Sequence, residues 1–221
     1  MRLELFGKNA QSLRAEARTL VSYGALGLNV PHKSKDSPPL ATLLALQDVL
    51  PPKVLRECVP HYSLKFAYDR SPDATRDSFL TFCAAAAALP TPPRQLLLVS
   101  GSGQRKFDTV QCLKSMPQEH SDAIGIGVAF NPYIPDRAQR ERERARLRLK
   151  VGTGRVSSIW LQVLTRVRGR GGGRGRGRVR VGLGLGLGLG LGLGLGLGLG
   201  LLVWVGGDGP QRLARVTKVR G

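Results

Sequence analysis

Residues 124–162 limit the fold more than any other stretch. They open with IGIGVAF, a short run of Ile, Val, Ala and Gly closed by Asn131-Pro132. An apolar run of that length, ended by a breaker, suits a strand of a parallel sheet that is covered on both faces. Asp136 then stands where it can cap a helix of alternating Arg and Glu, and that helix stops near Gly152 and Gly154. Residues 156–161 are apolar again. Strand, helix and strand in this order form a βαβ unit, whose helix has to cross one face of a parallel sheet.

The same alternation runs upstream. Strands are predicted over residues 3–6, 26–30, 58–66 and 95–100, with Pro60 weakening the first half of the third. Helices are predicted over residues 11–23, 38–50, from Ser71-Pro72-Asp73 through Ala88, and over 106–116. A strand recurring every 25 to 30 residues or so is the signature of βα units in an α/β fold. Open doubly wound sheets and closed barrels share it. Six strands fall before residue 162, and a sixth strand with nothing after it would leave an unpaired apolar edge.

After Gln162 the character changes. Residues 163–221 hold 20 of the 29 glycines, eleven Lys or Arg and the single acid Asp208. They therefore supply +10 of the formal net charge of +19, and the body supplies the remaining +9. Residues 163–177 are rich in Arg and Gly, and Gly and Leu alternate from Gly182 to Gly200. No packed βα unit has such a composition. Three readings compete. Arginine-rich segments bind RNA, although interleaved aromatics for base stacking are missing here. Residues 181–207 are long enough and uncharged enough to span a bilayer, but glycine-rich, which speaks against a membrane span. Translated repetitive DNA accounts for the most: repeats of TTAGGG read Gly-Leu in one frame and Val-Arg in another, and both dipeptides adjoin at Val179 to Gly182. The division is thus a body, residues 1–162, and a low-complexity tail, residues 163–221, disordered or arising from a misjoined gene model.

Cys58, Cys83 and Cys112 are scattered, odd in number and without a C-x-x-C. Reduced thiols are expected, with neither a disulfide framework nor a bound metal. Met1-Arg2 leads directly into a strand, so no signal peptide is visible and a cytoplasmic location is expected. The Arg-rich helix carries Asp136 with Arg140 and Glu143 with Arg146 at ion-pair spacing, which suits a solvated outer face better than a nucleic-acid contact.

Several segments of the body resemble the methylenetetrahydrofolate reductase family, flavin-dependent (β/α)8-barrel oxidoreductases of one-carbon metabolism. They are Leu3-Glu4-Leu5-Phe6, Val59-Pro60-His61-Tyr62-Ser63, Pro93-Arg94-Gln95 through Gly101, Val128-Ala129-Phe130-Asn131-Pro132-Tyr133, the helix ending Leu149-Lys150, and the strand leading to Gln162. The resemblance runs from Met1 to Gln162. It implies an incomplete TIM-type barrel of about six βα strands, bound FAD, NADH or NADPH as electron donor, and a folate as substrate. Homo-oligomers fit the family. The implied reaction reduces 5,10-methylenetetrahydrofolate to 5-methyltetrahydrofolate.

In a parallel barrel the reactive groups stand at the C-terminal ends of the strands. By resemblance Glu4, inside the first strand, is the catalytic general acid. It protonates a folate nitrogen and opens the methylene bridge to an iminium ion that takes hydride from the flavin. A carboxyl does this near neutrality only if partial burial raises its pKa. His61 matches a family histidine near the flavin, although a lone His is more often structural. His32 at the second strand exit is a weaker candidate. Ser100, Gly101 and Ser102 follow the fourth strand, where small residues let backbone N–H groups approach a flavin or phosphate. The family usually has Arg-Gly-Asp there, so the two serines suggest a divergent branch with another flavin or folate reaction. Asn131 stands where the family contacts flavin. Lys150 matches a lysine near the flavin diphosphate. Gln162 matches a glutamine that contacts the pterin. A different class of reading remains: six strands do not close a barrel, and the chain would then be a non-catalytic fragment whose basic tail binds nucleic acid.

Overall fold

The computed structural model describes residues 2–5, 9–36, 38–67, 71–101, 107–161, 163–166, 180–183 and 186–188. In chain order the elements are β1 (Arg2–Glu4), α1 (Ala10–Ser22), β2 (Gly27–Val30), α2 (Pro39–Gln47), α3 (Pro52–Arg56), β3 (Val59–Ser63), α4 (Leu64–Ala67), α5 (Pro72–Ala87) and β4 (Gln95–Val99). There follow α6 (Thr109–Lys114), α7 (Gln118–Ala123), β5 (Gly125–Phe130), α8 (Arg137–Val151), β6 (Val156–Leu161), β7 (Val163–Arg166), β8 (Arg180–Leu183) and β9 (Gly186–Gly188).

Local chemistry sets the helix starts. Asn9 and Ser12 form a reciprocal capping box on α1, and Asp108 and Gln111 form one on α6. Ser71 accepts from the Ala74 N–H at the start of α5. Asp136 caps α8 as expected, accepting from the Gln139 N–H at 2.7 Å.

β1 to β6 are all parallel and lie side by side in sequence order. A doubly wound sheet reverses its order at a switch point, and this sheet has none within the six strands. Right-handed crossovers that all step in one direction put their helices on one face. The packing bears this out. Leu28, Val30, Leu96, Leu98, Ile126 and Val128 belong to two buried clusters that take in Ala17 of α1, Leu43 and Leu46 of α2, Phe79, Phe82 and Cys83 of α5, and Cys112 and Leu113 of α6. The alternate residues Val59, Leu97 and Trp160 form a separate cluster on the opposite face.

The sheet curls around that opposite face. β1 and β6 are five strand spacings apart, about 24 Å in a flat sheet. Yet the Arg2 guanidinium of β1 stands 5.7 Å from the centre of the Trp160 ring of β6. Side chains from the first and sixth strands meet only if the sheet closes on itself as a half-barrel, with Val59, Leu97 and Trp160 on its concave side.

Four expectations need correction. The third strand ends at Ser63 rather than Phe66, because the chain turns there into α4, which buries Leu64 in the core and lays Phe66 against His32. The helix expected over 106–116 spans only Thr109–Lys114, and a separate helix, α7, precedes β5. The two expected ion pairs of α8 are replaced: Arg140 donates to the Ile134 carbonyl at 2.8 Å, and Arg146 reaches Asp108 across to α6 at 2.9 Å. The edge of β6 is not bare. β9 pairs with it antiparallel, setting Gly188, Leu187 and Gly186 opposite Ser158, Ile159 and Trp160. β7 and β8 form a separate antiparallel pair.

Candidate functional site on the concave face

Parallel strands bring all their C-terminal ends to one edge of the sheet, and the concave face leads up to that edge. Strand alternation selects who lines it. From β1 comes Glu4, from β2 Asn29, from β3 Val59 and His61, from β4 Leu97, and from β6 Ser158 and Trp160. Glu4 lies level with Asn29 in the β1–β2 register, and Asn29 level with Val59 in the β2–β3 register.

The floor of this face is fixed by a small residue. A methyl group on Gly127 would stand 2.6 Å from Trp160 Nε1 and 2.9 Å from Ser158 Oγ, so only glycine leaves room for the indole. Trp160 Nε1 donates to Ser158 Oγ at 3.2 Å, and that hydroxyl donates to Gln95 Oε1 at 2.9 Å. Below, Arg2 pairs with Glu57 at 2.6 Å, and Glu57 also holds Arg94 at 3.0 Å. These bonds order the lower end of the half-barrel.

The polar groups above the floor are less well satisfied. Asn29 is fully buried, and neither its Oδ1 nor its Nδ2 has a hydrogen-bond partner in the protein. An unmet buried polar group costs about 1–3 kcal/mol. His61 is half-buried with its Nε2 shielded and unpartnered. Burial, helped by the nearby Lys33 ammonium, pushes the His61 pKa down to about 4, so the ring is neutral at neutral pH. Burial raises the Glu4 pKa above its ordinary 4.5, against an opposing pull from Lys33. The concave face therefore holds a carboxyl inclined to keep its proton, a neutral imidazole and an unpaired amide beside an apolar floor.

The other candidates are held by the chain itself. His32 Nδ1 accepts from the Ser63 N–H at 3.3 Å, and its ring leans on Tyr62 and Phe66. It ties the β2 exit to β3. Ser100 Oγ lies 3.3 Å from Thr109 Oγ1. Gly101 has φ +70°, and a methyl group there would collide with Lys65, so packing on α4 already requires glycine. Asn131 Oδ1 accepts from the Tyr133 N–H at 3.0 Å, closing the turn after β5. Lys150 is buried at the end of α8 and donates to the Ala129 carbonyl at 3.2 Å; burial lowers its pKa. Ser102 and Gln162 lie outside the described residues. Thus Glu4 and His61 share the concave face, Ser100, Gly101 and Asn131 stand at strand exits, and Lys150 lies between helix and sheet.

Asn29 is absent from the candidates read from the sequence. Its signal is an amide set between Leu28 and Val30 in a strand where both neighbours face the helices. Reading the alternate positions of each strand, rather than strand exits alone, picks it out.

Elsewhere the chemistry is quieter. The three cysteines are buried thiols, and burial pushes Cys58 up to about 11 and Cys83 to about 12. Among the described residues no cluster of His, Cys, Asp and Glu could hold a metal ion, and no helix is long and apolar enough to cross a membrane. A shallow cleft lined by Leu26, Pro52, Lys53, Arg56, Glu57 and Arg94 opens near the N-terminal ends of the strands. Parallel α/β sheets bind their ligands at the other end.

No family model matches the chain, and no curated protein matches it. Solved structures similar to it include a dipeptide epimerase from Methylococcus capsulatus complexed with Mg ion, at TM-score 0.44 and 14% identity, over 73% of this chain and 46% of that one. Another is a putative phosphonomutase from Burkholderia cenocepacia J2315, at TM-score 0.41 and 16% identity, over 64% of this chain and 57% of that one. The chain spans about half the length of these structures.

Proposed function

We propose that the half-barrel is the greater part of a (β/α)8 barrel and that its concave face carries a flavin-dependent reduction of a folate, with Glu4 as the general acid. The observation that carries this reading is Glu4 itself. It is a carboxyl inside β1, on the concave face, whose pKa burial raises. A raised carboxyl pKa favours the protonated form, the form that can give a proton to a weakly basic nitrogen.

The residues suit a flavin in two respects. Val59, Leu97 and Trp160 form a buried apolar cluster on which a ring face would rest once the side chains over it part, and His61 Nε2 offers an unused polar atom to a ring edge. Ser100 and Gly101 stand at the β4 exit, on the way to the same edge. Bound FAD would supply the hydride, with NADH or NADPH as the source of electrons. Glu4 would hold its proton next to the folate nitrogen that leaves the methylene carbon. Transfer of that proton breaks the carbon–nitrogen bond, the carbon takes up the hydride, and Glu4 regains a proton from water. Lys33, close enough to stabilise the resulting carboxylate, would limit how far the Glu4 pKa rises. His61, neutral near pH 7, adds no charge to the ring slot.

The test separates the two half-reactions. The full chain is loaded with FAD, reduced by NADH or NADPH, and reoxidised by 5,10-methylenetetrahydrofolate, each step followed by flavin absorbance. Glu4→Gln is expected to leave reduction by the nicotinamide intact and to slow reoxidation by the folate by about a hundredfold or more. Equal rates of reoxidation in both proteins would exclude Glu4 as the acid.

A further inference from the structure

One group on the concave face has no part in the reaction just described. Asn29 sits on β2, level with Glu4 on one side and Val59 on the other, and His61 lies two residues further along β3. Its side chain is closed off from water, yet Oδ1 and Nδ2 are both without partners, and so is the neighbouring strand's His61 Nε2. A leucine or valine would suit a parallel strand better than an amide with nothing to bond. Next to these atoms lies the apolar floor of Val59, Leu97 and Trp160. An apolar surface edged by a few unmet polar atoms is the make-up of a site for a flat polar ring.

We propose that Asn29 is a ligand-reading residue that pairs with the lactam edge of a planar heterocycle. Such an edge carries an N–H and a C=O side by side, as the pyrimidinone rings of pterins and flavins do. A primary amide is its complement: Oδ1 accepts from the ring N–H while Nδ2 donates to the ring C=O. His61 Nε2 serves a third atom of the ring, whose face rests on Trp160 and Leu97. The ring reaches the amide by parting the side chains that shield it. The choice of pterin or flavin rests on the proposed function; the need for a lactam edge rests on Asn29 alone.

The test uses the full chain with folic acid and FAD as separate probes. Binding is followed by quenching of tryptophan fluorescence, and the side-chain amide resonance of Asn29 is followed by NMR in the unaltered protein. Folic acid or FAD is expected to shift that resonance. Asn29→Leu is expected to raise the urea midpoint, because it removes an unmet amide, and to weaken binding of the same probe by about tenfold or more. Asn29→Ser, which keeps a small polar group, is expected to weaken binding as well and covers the case in which the leucine variant does not fold. An amide resonance that neither probe moves, or variants that bind as tightly as the parent, would overturn the proposal. The two readings fail separately. Asn29-dependent binding of folic acid without flavin chemistry would retain the lactam site and discard the reductase. Flavin turnover unaffected by Asn29→Leu would do the reverse.

Discussion

The two faces of one sheet are built to opposite rules. On the convex face Leu28, Val30, Leu96, Leu98, Ile126 and Val128 are almost wholly buried against helices, with no unmet polar group among them. On the concave face of the same sheet stand Glu4 of β1, Asn29 of β2 and His61 of β3, with a raised carboxyl pKa, an orphaned amide and a shielded ring nitrogen. A parallel strand covered on both sides needs only apolar residues, as the convex positions show. Polar groups kept on the other face lower stability, and such groups persist where a ligand uses them. The contrast teaches which half of each strand to read for the fold and which for the chemistry.

Substitutions on the two faces should therefore behave differently. The largest effect is expected at Phe79, which is fully buried and packs on Tyr62 at 5.0 Å. Phe79→Ala should lower the unfolding free energy by about 3–5 kcal/mol, read from urea denaturation. A loss under about 1 kcal/mol would mean that the convex core is not packed as described. Next comes Gly127, where the concave floor is as tight as the core. Gly127→Ala should destabilise by about 1–3 kcal/mol and disturb the Trp160 fluorescence, since the indole has to move. An unchanged spectrum would show that the floor is loose.

The pH dependence sharpens the contrast without touching packing. The unfolded chain protonates His61 near the ordinary 6.5, and the native ring resists protonation down to about 4. Through that interval the unfolded state binds more protons, so stability falls as the pH drops from 6.5 to 4. Glu4 works the other way. Its native carboxyl keeps a proton above 4.5 that the unfolded chain has lost, so stability falls as the pH rises from 4.5 through its raised value. His61→Phe should flatten the first slope and Glu4→Gln the second, in urea midpoints measured between these limits. Lys33 pulls both groups down, so Lys33→Met should raise both values: the Glu4 shift grows, and the His61 shift shrinks as its value moves back up.

The smallest effect is expected at a helix start far from the concave face. Asp136→Ala removes the acceptor for the Gln139 N–H and should cost about 1 kcal/mol, with no change in ligand binding. A change in flavin or folate affinity from that substitution would break the division between the two faces.

Much of the convex side was legible in the sequence. Apolar runs bounded by breakers gave all six parallel strands, and Ser71 and Asp136 marked helix starts that the structure bears out. The third strand was read too long because Leu64-Lys65-Phe66-Ala67 has the composition of either state, and only the core waiting for Leu64 selects a helical turn. Spacing along α8 alone misses its true pairings, because it cannot reveal that Asp108, the cap of α6, offers Arg146 a partner from outside the helix. The curl was beyond local pattern altogether, since it depends on Arg2 and Trp160, which are far apart in sequence, meeting inside. Glu4 and His61 were found through resemblance, whereas Asn29 shows itself only through what its amide lacks. The pairing of β9 on β6 could not be foreseen either, because a repeat of two residues specifies no register.

The central claim is that the concave face is a ligand site, and unfolding of the full chain with and without ligand tests it most directly. A molecule that binds only the native state raises the unfolding free energy by about 2.7 kcal/mol at a hundred times its dissociation constant. FAD, or FAD together with folic acid, should raise the urea midpoint of the parent protein, and the gain should shrink in Asn29→Leu and His61→Phe. A midpoint that does not move at saturating concentrations of either ligand would contradict the account and leave the unmet groups of the concave face without a purpose.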